Sequence, residues 1–247
     1  MKIILVGACG KMGRQITELA KNIVCGIDLN PALLSFPVYD SLEKVTEQAD
    51  VVIDFSSANG IYERLLWCSQ RGIPAVLAAT GYTESDLKAI EEYSKSVPIF
   101  KTGNFSLGIA LCQYVSEKAA AFLGEEFDAE IIEKHHNQKK DAPSGTALML
   151  AESVKKGYGS DKRFVYGRQG MTGARQKQEI GIHAVRGGTI VGEHEIIFAG
   201  EDEIFSISHS ARSRKIFARG ALRAAHWLTG QPAGLYDMRD LLAELLQ

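Results

Sequence analysis

The spacing of short apolar runs in the first hundred residues constrains the fold most: "KIILVGA" (2–8), "NIVCGID" (22–28), "ADVVIDFS" (49–56), "IPAVLAAT" (73–80) and "VPIFKTG" (97–103). Each is a continuous apolar stretch bounded by Gly, Pro, Ser or Asp, the pattern of strands buried on both faces of a parallel sheet. Between them, "GIYERLLWCSQRG" (60–72) and "TESDLKAIEEYSKS" (83–96) have helical periodicity. The second offers Thr83 as an N-cap and acidic residues in its first turn. Strand, helix, strand repeated in this way predicts an α/β chain with a doubly wound Rossmann-type parallel sheet.

After about residue 105 the pattern changes. A long helix, "LGIALCQYVSEKAAAFLG" (107–124), precedes the strand-like "FDAEIIEKHH" (127–136), and "TIVGEHEIIFAG" and "EDEIFSISHS" flank a Gly-Glu-Asp turn as an antiparallel hairpin. A second α+β domain with a mostly antiparallel sheet follows. Residues 157–180, rich in Gly, Arg, Gln and Lys, read as a long loop. "RKIFARGALRAAHWLTG" ends at Gly230 as an amphipathic helix, "LYDMRDLLAELL" is a second short one, and both are expected to pack back on the first domain.

A glycine turn gives the first domain a task. "GACGKMG" directly follows the first strand, so Gly7 permits the tight turn, Gly10 lets backbone approach a pyrophosphate, and Gly13 lets the helix lie close on the sheet. The helix N-terminus presents N–H groups to the anion. The bland alternative is a helix-packing turn. Asp28 ends the second run, where an acidic side chain accepts hydrogen bonds from the ribose hydroxyls of NADH. It comes 15 residues after Gly13 where about 20 is typical, and the competing reading is a solvated Asp opening the turn "DLNP". Lys11, beside the phosphate turn, could pair with a 2′-phosphate, which leaves NADPH open. "AATG" (78–81) and "TGNFS" (102–106) put small and polar residues at the carboxyl edge of the sheet, where ligands lie in this fold.

The segment "EKHHNQKKDAPSGTA" (133–147) carries the other half of the chemistry. Ser144, Gly145 and Thr146 open an amphipathic helix and present hydroxyls and backbone N–H groups suited to a carboxylate or phosphate. His135 and His136 exchange protons near neutral pH, and Lys139 adds fixed positive charge. A polar surface loop is the alternative. Metal binding is a poor fit, since adjacent histidines do not share one tetrahedral ion easily and no HExxH or cysteine cluster accompanies them.

The bulk properties narrow the partners. With 247 residues and a net charge of -2, the chain has no global basic field for nucleic acid or an anionic membrane. "ARSRKIFARGALR" is read more simply as a helix with a solvated basic face. No apolar run reaches the roughly 20 residues of a bilayer span, and the start shows no cleavage pattern, so a cytoplasmic protein is expected. Cys9, Cys25, Cys68 and Cys112 form no CxxC pair and are expected to be reduced and mostly buried.

"EKHHNQKKDAPSGTA" closely resembles the E-x-H-H-x-x-K-x-D-A-P-S-G-T-A signature of the 4-hydroxy-tetrahydrodipicolinate (dihydrodipicolinate) reductase family of lysine and diaminopimelate biosynthesis. The resemblance extends to "GACGKMG", "DFSS" (54–57), "ATGY" (79–82), "GNFSLG" (103–108), "VRGGTIVGEHEIIFAG" (185–200) and "LYDMRDLL", nearly the whole chain. It departs at Ala78-Ala79-Thr80, where Gly-Thr-Thr is more usual, at Thr102-Gly103, and in the short stretch before Asp28. These departures bear on cofactor contacts and not on the reaction.

The resemblance implies NAD(P)H-dependent reduction of a dicarboxylate ring, with His135 as proton donor and Lys139 as a second catalytic group. His136, Gly145 and Thr146 would hold the substrate, joined by Ser144 from the helix-start reading. Gly7, Ala8, Cys9, Gly10, Lys11, Met12, Asp28, Ala78, Ala79, Thr80, Thr102, Gly103, Asn104 and Phe105 would contact NADH or NADPH. Residues 1–105 with 214–247 would then be the dinucleotide-binding domain and 106–213 the substrate-binding and oligomerisation domain of a homotetramer. The site would lie between the two domains. A non-catalytic dinucleotide sensor of the same fold is the alternative; intact His135 and Lys139 argue against it.

Overall fold

In the computed structural model, which describes residues 1–159 and 161–245, each apolar run of the first hundred residues is a strand. The chain runs β1 (Ile3–Val6), α1 (Lys11–Leu19), β2 (Ile23–Ile27), β3 (Val38–Tyr39), β4 (Val51–Asp54), α2 (Ile61–Arg71), β5 (Ala75–Leu77), α3 (Glu84–Ser94) and β6 (Pro98–Lys101). It continues through α4 (Leu107–Leu123), β7 (Asp128–His135), α5 (Gly145–Tyr158), β8 (Arg163–Tyr166), β9 (Glu179–Arg186), β10 (Gly192–Ala199) and β11 (Ile204–Ala211). It closes with α6 (Lys215–Leu228), β12 (Gly234–Tyr236) and α7 (Met238–Leu245). Two units emerge, Met1–Leu107 with Arg214–Gln247, and Gly108–Ser213.

In the first unit the sheet order is β12-β6-β5-β4-β1-β2-β3, every pairing parallel. Its central strands are buried along their whole length because helices cover both faces. Strands β1 to β6 follow the 3-2-1-4-5-6 order of dinucleotide-binding sheets, whose topological switch lies between β1 and β4. Thr83 caps α3 in a capping box with Asp86. Helix α6 packs on α1 and on β4, β5 and β6 through fully buried Ala218, Ala221, Ala224 and Leu228.

Two strands of this sheet were not expected. β3 is two residues long, too short for any periodic signal. "LYDMRDLLAELL" does not form one helix: Leu235 and Tyr236 pair with β6 instead. The helix starts only after Asp237, whose carboxylate accepts from the Arg239 N–H at 2.6 Å and sets the start of α7.

The second unit packs α4 and α5 on a five-stranded sheet of order β11-β10-β7-β9-β8. Its core holds Ile131, Leu150, Val154, Ile180, Ile182, Ile196 and Phe198. The sheet is mixed, where a mostly antiparallel one was expected: β10 pairs antiparallel with β11 and β7, but β9 pairs parallel with both β7 and β8. The cause is two successive crossovers: α5 returns the chain so that β8 runs in the direction of β7, and residues 167–178 return it again for β9. The expected loop at 157–180 accordingly contains the end of α5 and all of β8. Residues 167–178 are irregular and are pinned by Arg168 and Arg175 on Glu130.

Candidate active site

The glycine turn has the geometry its residue types dictate. Gly7 adopts φ +78°, and a Cβ there would lie 2.9 Å from the Phe55 backbone; a Cβ on Gly13 would lie 2.2 Å from the Gly7 carbonyl. No other residue fits either position. Gly10 precedes α1 with no side-chain cap, so the first N–H groups of the helix are left for a ligand. Ala8 is fully buried, Cys9 and Met12 are half-buried, and Lys11 is exposed. Asp28 reaches this turn: its Oδ2 accepts from the Cys9 N–H at 2.9 Å and its Oδ1 from the Asn30 N–H at 3.0 Å. The residues fit a dinucleotide: an open N–H cradle for a pyrophosphate, and beside it a carboxylate with lone pairs to spare.

The other expected cofactor residues follow the carboxyl ends of β5 and β6. Ala78 is tied to β4 through the Asp54 carbonyl at 2.8 Å, Ala79 is buried and Thr80 exposed. Thr102 and Asn104 bond to each other, Gly103 is exposed, and the Asn104 amide oxygen accepts from the Ser106 N–H at 2.8 Å. Phe105 has its ring in the core, 5.9 Å from both Phe55 and Phe100, so it offers a ligand only its backbone. Sequence reasoning gave no role to Arg64, whose Nε lies 2.6 Å from the buried Asp54 carboxylate and whose guanidinium donates to the Ser57 and Asn59 carbonyls. It holds the segment after β4 beside Gly7.

In the second unit, the alternation of β7 decides the chemistry. Ala129, Ile131 and Glu133 point to the core face, and His135 continues that face at the strand end. Glu133 is 0% exposed. Its Oε2 meets His135 Nδ1 at 2.6 Å and accepts from Arg186 Nη1 at 2.8 Å; its Oε1 accepts from Arg186 Nη2 at 2.7 Å and from the Ser144 N–H at 3.0 Å. Burial pushes this carboxyl up, but the hydrogen bonds from Arg186, His135 and Ser144 outweigh it and hold it below the ordinary carboxylate range. The His135 ring is 11% exposed. Backbone bonds from Gly187 N–H to the His135 carbonyl and from Asn137 N–H to the Gly188 carbonyl fix the segment on the end of β9.

The start of α5 lies at the same carboxylate. Ser144 is 2% exposed, its Oγ accepts from the Ala147 N–H at 3.2 Å as the N-cap, and it shares a 3.2 Å hydrogen bond with His194 Nε2. The hydroxyl expected to face substrate is thus committed inside the protein. Gly145 is exposed and Thr146 half-buried at the open end of the helix. Lys139 pairs with Asp141 at 2.9 Å, and its N–H donates to the carbonyl of half-buried His136. His194, buried on β10 opposite Glu133, packs its ring edge-on to His135 at 5.3 Å. Burial, and then the charge of His135, bring it down to about 4, so it is a neutral base at physiological pH.

Glu133, Arg186 and His194 were missed, although a period-two reading of "EKH" would have put Glu133 and His135 on one face. Arg186 and His194 come from β9 and β10, which no local pattern connects to β7. Among the described residues no group of three or more His, Cys, Asp or Glu is placed to hold a metal ion, and no helix is long and apolar enough to cross a membrane.

Residues 1–105 match the family model "Dihydrodipicolinate reductase, N-terminus" and residues 108–242 match "Dihydrodipicolinate reductase, C-terminus". The chain is 51% identical over 98% of its length to the 4-hydroxy-tetrahydrodipicolinate reductase of Caldanaerobacter subterraneus subsp. tengcongensis, covering 98% of that protein. It is 45% identical over 98% to the protein of the same name from Clostridium tetani, covering 97% of it. Among solved structures it is similar to a dipicolinate-bound dihydrodipicolinate reductase from Paenisporosarcina sp. TG-14, with a TM-score of 0.81 and 28% identity over 98% of this chain and 99% of that one.

Proposed function

The chain belongs to the 4-hydroxy-tetrahydrodipicolinate reductase family, oxidoreductases of lysine biosynthesis, and on that premise we propose how its residues divide the reaction. Gly7 to Met12 hold the pyrophosphate of a reduced nicotinamide dinucleotide and Asp28 its ribose, with the ends of β5 and β6 beside the nicotinamide. That cofactor, when bound, supplies the hydride. Everything else falls to the second unit.

Gly145 and Thr146 at the N-terminus of α5, with Lys139 and His136, hold the carboxylates of 4-hydroxy-tetrahydrodipicolinate. His135 delivers the proton that the electron-rich ring carbon needs after the hydride arrives, giving tetrahydrodipicolinate. One observation carries this reading: a single buried carboxylate, Glu133, hydrogen-bonds both His135 and the first N–H of the α5 start, so proton donor and anion site are built as one piece. Asp28 supports NADH, while exposed Lys11 keeps NADPH usable. A homotetramer formed through the second unit's sheet would cover the apolar side chains that β11 exposes, Ile204 at 70% and Phe205 at 42%; light scattering that gives an active monomer would refute it. We place the reaction in the cytoplasm, where reduced nicotinamides and the substrate are made.

The test is a coupled assay on freshly made product of dihydrodipicolinate synthase, following loss of reduced nicotinamide absorbance with NADH and NADPH in turn. Turnover that requires His135 supports the reading. No turnover with either cofactor would overturn it.

A further inference from the structure

The most heavily bonded buried charge outside the expected site residues is Glu133. Each carboxylate oxygen accepts twice: Oε2 from His135 Nδ1 and Arg186 Nη1, Oε1 from Arg186 Nη2 and the Ser144 N–H, all within 3.0 Å. A fully buried carboxylate with this set of donors is ionised and acceptor-only. The ring nitrogen facing it must therefore carry a hydrogen. On the other side of the ring, Gly192 leaves room, since a Cβ there would lie 3.1 Å from His135 Nε2.

We propose that Glu133 is the positioning residue of the reaction: it holds His135 with Nδ1–H inward and Nε2 outward, and Arg186 keeps the Glu133 carboxylate from taking the proton itself. The inference rests on His135 being the proton donor. In the imidazolium, Nδ1–H stays on Glu133 and Nε2–H faces the substrate. When the Nε2–H bond breaks, its electron pair remains on Nε2 and the proton forms the new C–H bond with the electron pair of the ring carbon. What is left is neutral imidazole already in its Nδ1–H tautomer, recharged from solvent at Nε2. Arg186, bidentate on the same carboxylate, balances its charge; without it Glu133 would be a competing base 2.6 Å from the proton. The other groups facing this pair are His194 on β10 with His209 behind it on β11, and Lys139 and Asp141 from the loop after β7. None of these touches Nδ1.

The chain holds 6 histidines, so His135 can be assigned by difference against His135→Gln and its tautomer read from the ¹⁵N shifts of uniformly histidine-labelled protein. The neutral ring is expected as Nδ1–H. An Nε2–H tautomer in the wild-type protein overturns the proposal, whatever the enzyme turns over. Glu133→Gln points an amide N–H at Nδ1 and should invert the tautomer, lower kcat by about 10²-fold or more with a much smaller change in KM, and move the high-pH limb of the kcat profile to lower pH. Glu133→Asp keeps the charge and should recover part of kcat and the limb. If Glu133→Gln proves too unstable to assay, the Asp variant and the wild-type tautomer still decide. A Gln variant with wild-type kcat and pH profile overturns the proposal. Failure of the broader reading would look different: no turnover in wild type, with the Nδ1–H signature intact.

Discussion

The backbone N–H of Cys9 donates to Asp28 Oδ2 at 2.9 Å, joining the glycine turn to the end of β2 across the edge of the sheet. Asp28 is therefore held at the turn and not loose in solvent, and in the proposed reading its remaining lone pairs serve the ribose. A carboxylate there supports a 2′-hydroxyl and repels a 2′-phosphate. Asp28→Ala should raise KM for NADH by about tenfold and KM for NADPH by clearly less. Equal losses in steady-state titrations would remove Asp28 from the ribose.

Replacing His135, the proposed proton donor, separates chemistry from binding. His135→Gln should lower kcat by about 10² to 10⁴ with a smaller change in KM. Thr146→Val should chiefly raise KM for the dicarboxylate, and Lys139→Ala should damage both parameters, because in the proposed reading its charge serves bound substrate and transition state alike. Nicotinamide binding, followed by fluorescence, should survive all three. Near-normal kcat in His135→Gln would remove it from the proton transfer.

How much of this was legible beforehand depends on how local each signal is. The parallel strands of the first unit announce themselves because each is apolar along its length and bounded by breakers. The glycine turn is legible because the positive φ of Gly7 and the close approach of Gly13 to the Gly7 carbonyl both belong to one strand-turn-helix unit. β3 and β12 are silent, being two- and three-residue pairings at the sheet edges. The direction of β9 is equally silent, because it follows from two crossovers, α5 before β8 and the irregular segment 167–178 after it. At the site, His135 and Lys139 stand out as residue types, but the partners that fix His135 arrive from β7, β9 and β10 together. Ser144 shows the converse: its type fits an anion site, and only the fold reveals that its hydroxyl caps α5 and meets His194.

Gly192 offers a test of access to Nε2. Its backbone needs no glycine, for its φ is not among the positive ones, yet an added methyl would sit 3.1 Å from His135 Nε2 and 3.4 Å from Cδ2. Gly192→Ala should lower kcat by about tenfold or more by crowding the atom proposed to donate the proton, with the melting temperature within a few degrees of wild type. Gly187→Ala, where nothing lies within 4 Å, is the control and should stay close to wild type in stability. Unchanged kcat in Gly192→Ala would mean that the proton leaves from elsewhere.

His194 links the site to acid stability. Burial first, then the charge of His135, bring its pKa down from 6.5 to about 4 in the folded chain. Above pH 6.5 the ring is neutral in both states and costs nothing. Between pH 6.5 and about 4 the unfolded chain takes up a proton that the folded chain refuses, so stability falls as pH falls through that window; below it the slope from this group ends. The loss by pH 5 is about 2 kcal/mol relative to pH 7. His209, also held down by burial, adds to the slope in the same direction. Glu133, held below the carboxylate range, acts at lower pH, where protonation removes what its ion pair contributes. His194→Leu should be less stable than wild type at pH 7, since it removes one of the two hydrogen-bond partners of the buried Ser144 hydroxyl, but the gap should narrow by pH 5. Denaturant titrations at the two pH values measure it directly. Parallel curves for the two proteins would show that His194 takes up its proton as readily folded as unfolded, and would place its ring in contact with water.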